Sequence, residues 1–137
     1  MYKILLAVDG SSFSSRATEE AIKIAQAFNG VVTVLTVAAT PNISSMDLLS
    51  KVREKIKLEA QELLEETKSK FVDKGLEAKT VLEEGYPPSV ICDIVENEDF
   101  DIVIVGRRGM GKFHEMVLGS VSNHVVHCAN ASVLVVK

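Results

Sequence analysis

Two hydrophobic rhythms alternate along the chain. Ile4 to Val8 is an unbroken apolar run, as expected of a central strand buried on both faces. Asp9-Gly10-Ser11-Ser12 interrupts it, and Ser11 or Ser12 can cap the helix that follows. In that helix Ala17, Ala21, Ile22, Ile24, Ala25 and Phe28 gather on one broad side, with Arg16, Glu19, Glu20 and Lys23 largely on the other. Asn29-Gly30 ends it, with Gly30 suited to the left-handed position beyond a helix. Val31 to Val37 is a second strand, again nearly all apolar, and Ala38 to Ser45 is a loop containing Pro41.

A long helix is expected over roughly Met46 to Lys74. Leu49, Val52, Ile56, Leu63, Thr67 and Phe71 recur at helical steps, and Glu59 or Ala60 bridges the gap after Ile56. The outer face offers Glu54–Lys57 and Glu66–Lys70 pairs. Gly75 ends this helix. Leu76, Ala78, Thr80 and Leu82 then alternate with Glu77, Lys79, Val81 and Glu83, a strand with one largely wet face, suited to a sheet edge. Glu84 to Pro88 is a loop, and Pro88 or Ser89 opens a helix through Val95. Phe100 to Val105 is the fourth strand, Gly119 to Cys128 the fourth helix and Val133 to Val136 the fifth strand. No repeat or linker interrupts the order β-α-β-α-β-α-β-α-β. Such alternation implies one α/β domain over residues 1–137, built on a parallel sheet with right-handed crossovers. Ligands of open parallel sheets bind beyond the carboxyl ends of the strands, where strand order reverses. With the first and fourth strands as neighbours there, Asp9 and Gly106 would share one crevice.

Composition narrows the function. With 137 residues, 47% of them hydrophobic and 25% charged, the chain has the make-up of a soluble globular protein with one sizeable core. A net charge of −4 argues against a nucleic-acid partner, which calls for a basic surface. No signal-peptide pattern and no apolar run near the roughly 18 residues of a membrane span is visible, so no membrane partner and a cytoplasmic location are expected. Cys92 and Cys128 form no CxxC pair and sit in apolar helical surroundings, so they read as buried thiols rather than as a disulfide or metal ligands. His124 and His127 lie on one helix with no further ligand at a convincing spacing, which gives no metal site to name. Glu83 and Glu84 are adjacent in a strand and point to opposite faces, so they read as surface charge rather than as a catalytic pair.

The chemistry concentrates after the fourth strand. A connection of about twelve residues separates it from the last helix, where roughly 2–6 is usual, and long ordered connections at this place are commonly binding loops. It carries Arg107, Arg108 and Lys112 among several glycines and runs into Gly119-Ser120 at a helix start. Backbone N–H groups can approach an anion where no Cβ intrudes, and a helix N-terminus adds favourable partial charge. Gly106 through Lys112 also reads as GxxxxGK, but Phe113 stands where a P-loop needs Ser or Thr for Mg²⁺.

The segment Gly106-x2-Gly109-x9-Gly119-Ser120 resembles the nucleotide loop of the ATP-binding branch of the universal stress protein family. Asp9-Gly10-Ser11 after the first strand matches as well, as does the ending Gly-Ser-Val-Ser, helix, Val133-Leu134-Val135-Val136. The resemblance spans essentially the whole chain. It implies an open five-stranded parallel sheet of order 3-2-1-4-5 with helices on both faces, Rossmann-like and akin to the adenine nucleotide alpha hydrolases. It also implies binding of ATP, or of ADP or AMP, with Mg²⁺ as a companion, and a homodimer formed through the last strand. Gly106 would let the backbone leave the strand tightly, Gly109 would supply a turn and exposed N–H groups, and Gly119 would let phosphate approach the helix start. Ser120 and Ser122, flanking Val121, would offer hydroxyls. Asp9 would lie near ribose or a phosphate-bound metal, backbone near Ala7 and Val37 would surround adenine, and Arg107 and Arg108 would offset phosphate charge. Relatives commonly place proline before the final strand, where this chain has Ser132, which restores an N–H and bears on that strand's geometry.

The leading functional expectation is a cytoplasmic ATP-binding regulatory protein whose nucleotide biases a conformation or an unidentified protein partner. The alternative is a slow ATPase or a nucleotidyl or phosphoryl transferase at the same site. No general base or activated nucleophile beside a γ-phosphate is evident, so at most slow hydrolysis is expected. A dimerisation domain with an empty site is the third possibility.

Overall fold

Five parallel strands make one sheet in the order β3-β2-β1-β4-β5, as expected. The strands are β1 (Lys3–Ala7), β2 (Val31–Ala38), β3 (Ala78–Glu84), β4 (Ile102–Gly106) and β5 (Ser132–Val136). The helices α1 (Ser12–Phe28), α2 (Met46–Val72), α3 (Pro87–Asn97) and α4 (Ser120–Cys128) alternate with them. The computed structural model describes residues 1–107 and 118–137. Chain order runs outward from β1 to β3 and then returns across β1 to β4 and β5. With right-handed crossovers this reversal sends the first two helices to one face and the last two to the other.

The two faces have separate cores. Ile4, Leu6, Val32, Val34 and Ile104 point to the face covered by Ala17, Ala21 and Ala25 of α1 and by Leu64 and Phe71 of α2. Leu5, Leu35, Val103 and Val105 point the other way, against Ile91 and Val95 of α3 and Val125 of α4. The period-two alternation of side chains thus explains why the central strands read as continuous apolar runs: both faces are dry. The alanines of α1 let that helix lie close to the sheet. β3 is an edge, as its wet face implies, with Lys79 and Glu83 exposed.

Local chemistry sets the ends. Ser11 caps α1, its hydroxyl accepting the Ser14 N–H at 3.1 Å. At the other end the left-handed residue is Asn29, with φ of 53°, and not Gly30. Gly30 is needed for space instead: a Cβ there would lie 2.9 Å from Ile4 Cδ1 and 3.1 Å from the Tyr2 carbonyl. Phe28, expected on the apolar side, is 59% exposed and stacks on Tyr2 at 4.7 Å between ring centroids. Leu76 is not yet strand. Its N–H donates to the Phe71 carbonyl and that of Gly75 to Val72, the paired bonds of a Schellman close. Ala60 supplies the bridging position in the α2 stripe, and Leu64 is more deeply buried than Leu63. α3 opens at Pro87, one residue earlier than expected, and extends to Asn97. Ser132 is the first residue of β5 and pairs with Ile102, so the last strand begins one residue earlier than expected.

Two expectations about side-chain pairing are corrected. The helical pairs Glu54–Lys57 and Glu66–Lys70 are not among the ion pairs of the described residues. Lys57 and Arg53 both turn instead to Glu84 at the end of β3, each at 3.0 Å. The Lys57 hydrogen bond is the main influence that holds the Glu84 carboxyl below the usual glutamate range; desolvation opposes it, and the neighbouring Arg53 adds to the lowering. The second correction concerns the cysteines: Cys92 of α3 and Cys128 of α4 are joined in a disulfide. Both helices lie on one face of the sheet, and the two Cα atoms are 6.0 Å apart, inside the range a disulfide spans.

Candidate functional site

β1 and β4 are neighbours, paired from Ile4 with Ile102 to Leu6 with Ile104. Their carboxyl ends mark the point where strand order reverses, the place where open α/β sheets take ligands. Asp9 follows the end of β1 by two residues, and Gly106 is the last residue of β4. Ala7 ends β1, and Val37 stands near the end of β2. Both are half-buried on the α3/α4 face, where Val121 of α4 also packs. The Val8 carbonyl accepts the Thr36 hydroxyl at 3.0 Å, which ties the ends of β1 and β2 together.

The connection from β4 to α4 is pinned at its base. The Arg107 carbonyl accepts the Gly119 N–H at 2.7 Å and the Ser122 hydroxyl at 2.7 Å. The Arg107 N–H donates to the Val136 carbonyl, also at 2.7 Å. A single carbonyl therefore gathers both ends of the segment and sets the start of α4 at the end of β4. Gly119 is the N-cap of α4, and no side chain caps it. Ser120 follows on the exposed side. Among the described residues, no side chain caps the first N–H groups of α4, the kind of group that can receive an anion. Arg108, Gly109, Lys112 and the P-loop reading through Phe113 lie outside the described residues.

Several side chains differ from their expected roles. Ser122 is 1% exposed, and its hydroxyl hydrogen goes to the Arg107 carbonyl, with the Gly119 carbonyl at 3.2 Å as second acceptor. It positions the helix start and does not present its hydroxyl outward. The Arg107 guanidinium lies over the Phe13 ring, 5.5 Å from its centroid, and Arg16 packs on the same ring at 4.7 Å. Nε of Arg107 is buried with no hydrogen-bond partner among the described residues. Asp9 accepts the Ser11 N–H on Oδ1 at 2.9 Å, which shapes the turn into α1.

Gly106 is required for a reason that differs from the one expected. A Cβ there would stand 2.8 Å from the carbonyl carbon and from Cβ of Phe13 in the first turn of α1. The conflict is with backbone, so no rotamer relieves it. Gly106→Ala is expected to destabilise the protein by about 1–3 kcal/mol, the usual cost of overpacking. Urea unfolding measures this, and an unchanged midpoint would mean that α1 yields freely.

The sequence profile of the Universal stress protein family matches residues 1–137. This chain belongs to that family. It is 29% identical over 145 aligned positions to universal stress protein YxiE of Bacillus subtilis, covering 98% of each chain. It is 33% identical over 141 positions to universal stress protein MJ0531 of Methanocaldococcus jannaschii, covering 98% of this chain and 81% of the relative. The solved structure of MJ0577 superposes with a TM-score of 0.92 at 30% identity, covering 98% of this chain and 94% of that one. Solved universal stress proteins that share the fold at lower identity are described as complexes. One from Arabidopsis thaliana has AMP bound, with a TM-score of 0.77 at 24% identity, covering 100% of this chain and 92% of that one. One from Archaeoglobus fulgidus holds dAMP, with a TM-score of 0.75 at 23% identity and coverage of 100% and 98%. Another holds cAMP, with a TM-score of 0.76 at 23% identity and coverage of 99% and 97%.

Some participants in this universal stress protein were not visible in its sequence. Phe13 shapes the site through Gly106, Arg107 and Arg16, and Thr36 fixes the Val8 carbonyl. Neither carries a local signal of this role in the sequence. An open surface cavity of about 470 Å³ runs along α4 between Ser120, Asn123, His124, His127 and Cys128, with Tyr86 opposite. Among the described residues no group of three or more His, Cys, Asp or Glu is placed to hold a metal, and no helix is long and apolar enough to cross a membrane.

Proposed function

We propose that this chain is a cytoplasmic, ATP-binding regulatory member of the family. It acts as one domain over residues 1–137 and as a homodimer through β5. The nucleotide is held at the Gly106-x2-Gly109-x9-Gly119-Ser120 segment, and its presence biases a conformation or a protein partner. The observation that carries the reading is the helix start at Gly119-Ser120. It lacks a side-chain cap and is fastened through the Arg107 carbonyl to the carboxyl end of β4 at the strand-order reversal. That arrangement offers backbone N–H groups to phosphate at the place where parallel sheets bind ligands. The AMP, dAMP and cAMP complexes of fold relatives support an adenine nucleotide as the ligand. The fit of Mg²⁺ rests on Asp9: one carboxylate oxygen is engaged by Ser11, and the other, with no partner among the described residues, could serve a ribose hydroxyl or a phosphate-bound cation.

Calorimetric titration with ATP, ADP and AMP tests the reading, with one equivalent bound per chain expected. No heat from any of the three would refute it. Turnover is expected to be slow or absent, with or without Mg²⁺, because no positioned base accompanies the helix start among the described residues. Following ATP over hours by chromatography checks this. A steady rate near the ordinary enzyme value of about 10 s⁻¹ would favour an ATPase or transferase at the same site.

A further inference from the structure

The disulfide between α3 and α4 stands out because it brackets the proposed nucleotide segment. Cys92 and Cys128 are 36 positions apart in sequence, and the chain between them contains β4, the glycine-containing connection and the whole of α4. A disulfide that closes a loop of that size restricts the unfolded chain and so favours the folded one. It adds to the packing of Val121 and Val125 against the sheet.

α4 is nine residues long, well below the length at which an isolated helix is stable. Ser122 and Val125 are its fully buried residues. At the N-terminal end it is held by the Gly119 N–H and the Ser122 hydroxyl on the Arg107 carbonyl. At the C-terminal end, about 12 Å away along the axis, it is held by the bridge to Cys92. The same short rod thus carries the anion-facing N–H groups at one end and a redox-labile covalent tie at the other.

Access is asymmetric. Cys92 is 6% exposed, whereas Cys128 is half-buried and lines the open cavity that also contains Ser120 and His124. Cys128 is thus the more accessible half of the bridge. In reducing compartments disulfides are usually transient and serve redox sensing or catalysis.

We propose that the Cys92–Cys128 bridge is a reversible redox latch on α4: closed, it holds the helix start in the geometry that binds phosphate, and open, it weakens that grip. The proposal rests on the nucleotide reading above for its consequence, though not for the latch itself. Opening proceeds by exchange with two equivalents of a low-molecular-weight thiol. The first attacks the Cys128 sulfur and forms a mixed disulfide while the Cys92 sulfur leaves and takes up a proton. The second attacks the mixed disulfide and releases the Cys128 thiol. Two external thiols are oxidised to one external disulfide as the protein disulfide is reduced to two thiols. Closure uses hydrogen peroxide. The Cys128 thiol becomes a sulfenic acid with loss of one water, and the Cys92 thiol condenses with it with loss of a second.

The test compares the oxidised protein, the dithiothreitol-reduced protein and the Cys92→Ser/Cys128→Ser variant, using ATP as probe and hydrogen exchange of the α4 amides as a second readout. The expected result has four parts. Alkylation and mass measurement find no free thiol in the oxidised form. Reduction weakens ATP binding about tenfold, within the range usual for coupled sites, and peroxide restores it. The double variant binds at the reduced level whatever the reagent. The α4 amides exchange faster in both bridge-free forms. Equal ATP affinity in the oxidised and reduced protein overturns the proposal, as does a double variant that still responds to dithiothreitol. If no form binds ATP, the nucleotide reading has failed by itself and exchange decides the latch: faster α4 exchange on reduction sustains it, and unchanged exchange overturns it.

Discussion

Gly119→Val is expected to lower ATP affinity by about a hundredfold or more in a protein that remains folded. Gly119 has φ of −74° and ψ of 173°, an extended conformation that valine adopts readily, so the backbone has no reason to rearrange. Its own N–H points inward to the Arg107 carbonyl and would still do so. What changes is the approach. On the proposed reading, the branched side chain would stand where phosphate meets the first N–H groups of α4. Hydrogen bonds from such groups to a charged acceptor contribute about 1.5–3 kcal/mol each, and losing two of them gives the stated factor. Calorimetry with ATP, beside a thermal melt of the same sample, separates binding from folding. An unchanged affinity in a folded variant would move the phosphates away from this helix start and remove the main support for the proposed function.

Val135→Lys is expected to convert a dimeric protein to monomer at low micromolar concentration. β5 occupies the edge of the sheet beside β4. It contains no proline and no charge, and Lys137 comes after its last residue. Val133 and Val135 pack toward the α3/α4 face, Leu134 and Val136 toward the α1 face, and all four are only partly buried. An uninterrupted apolar edge of this kind is an open template for pairing with another strand. A second copy related by a two-fold axis would satisfy the free N–H and C=O groups and cover the exposed parts of the valines. A lysine at position 135 would place an ammonium in that seam. Glu62→Lys, an exposed charge reversal on α2, serves as the control and should leave the mass unchanged. Light scattering that finds a monomeric wild type, or a dimer indifferent to Val135→Lys, would show that the edge is blunted in another way.

The element order was legible without coordinates because each element's burial is written in its own periodicity. Ile4–Val8 and Val31–Val37 could only be strands dry on both faces, and the alternation from Leu76 to Glu83 marked β3 as an edge. The connection before Gly119-Ser120 is marked in the sequence by its length, its three bases and its glycines. The strand order 3-2-1-4-5 reached the sequence reading through family resemblance, since periodicity reports how dry a strand is and not which strand lies beside it.

What only the tertiary structure decided is which residue faces which across elements. Cys92 and Cys128 looked like separate buried thiols, because nothing local says that α3 and α4 share a face. That follows from the sheet order combined with right-handed crossovers. Lys57 has Glu54 one turn away on its own helix and pairs with Glu84 on β3, because the crossing of α2 over the strand end brings that carboxylate within 3.0 Å. Asn29 and Gly30 are both fit for the left-handed position. The crowding of Ile4 and Tyr2 around Gly30 assigns the space-saving role to one and the turn to the other. Gly106 and Arg107 were read as parts of a phosphate loop. The first turn of α1 gives them a second purpose, since Phe13 presses on the one and stacks under the other. A sequence states how each element wishes to be buried. The distances between elements, and hence the partners of individual side chains, are set only when all the buried faces are satisfied at once.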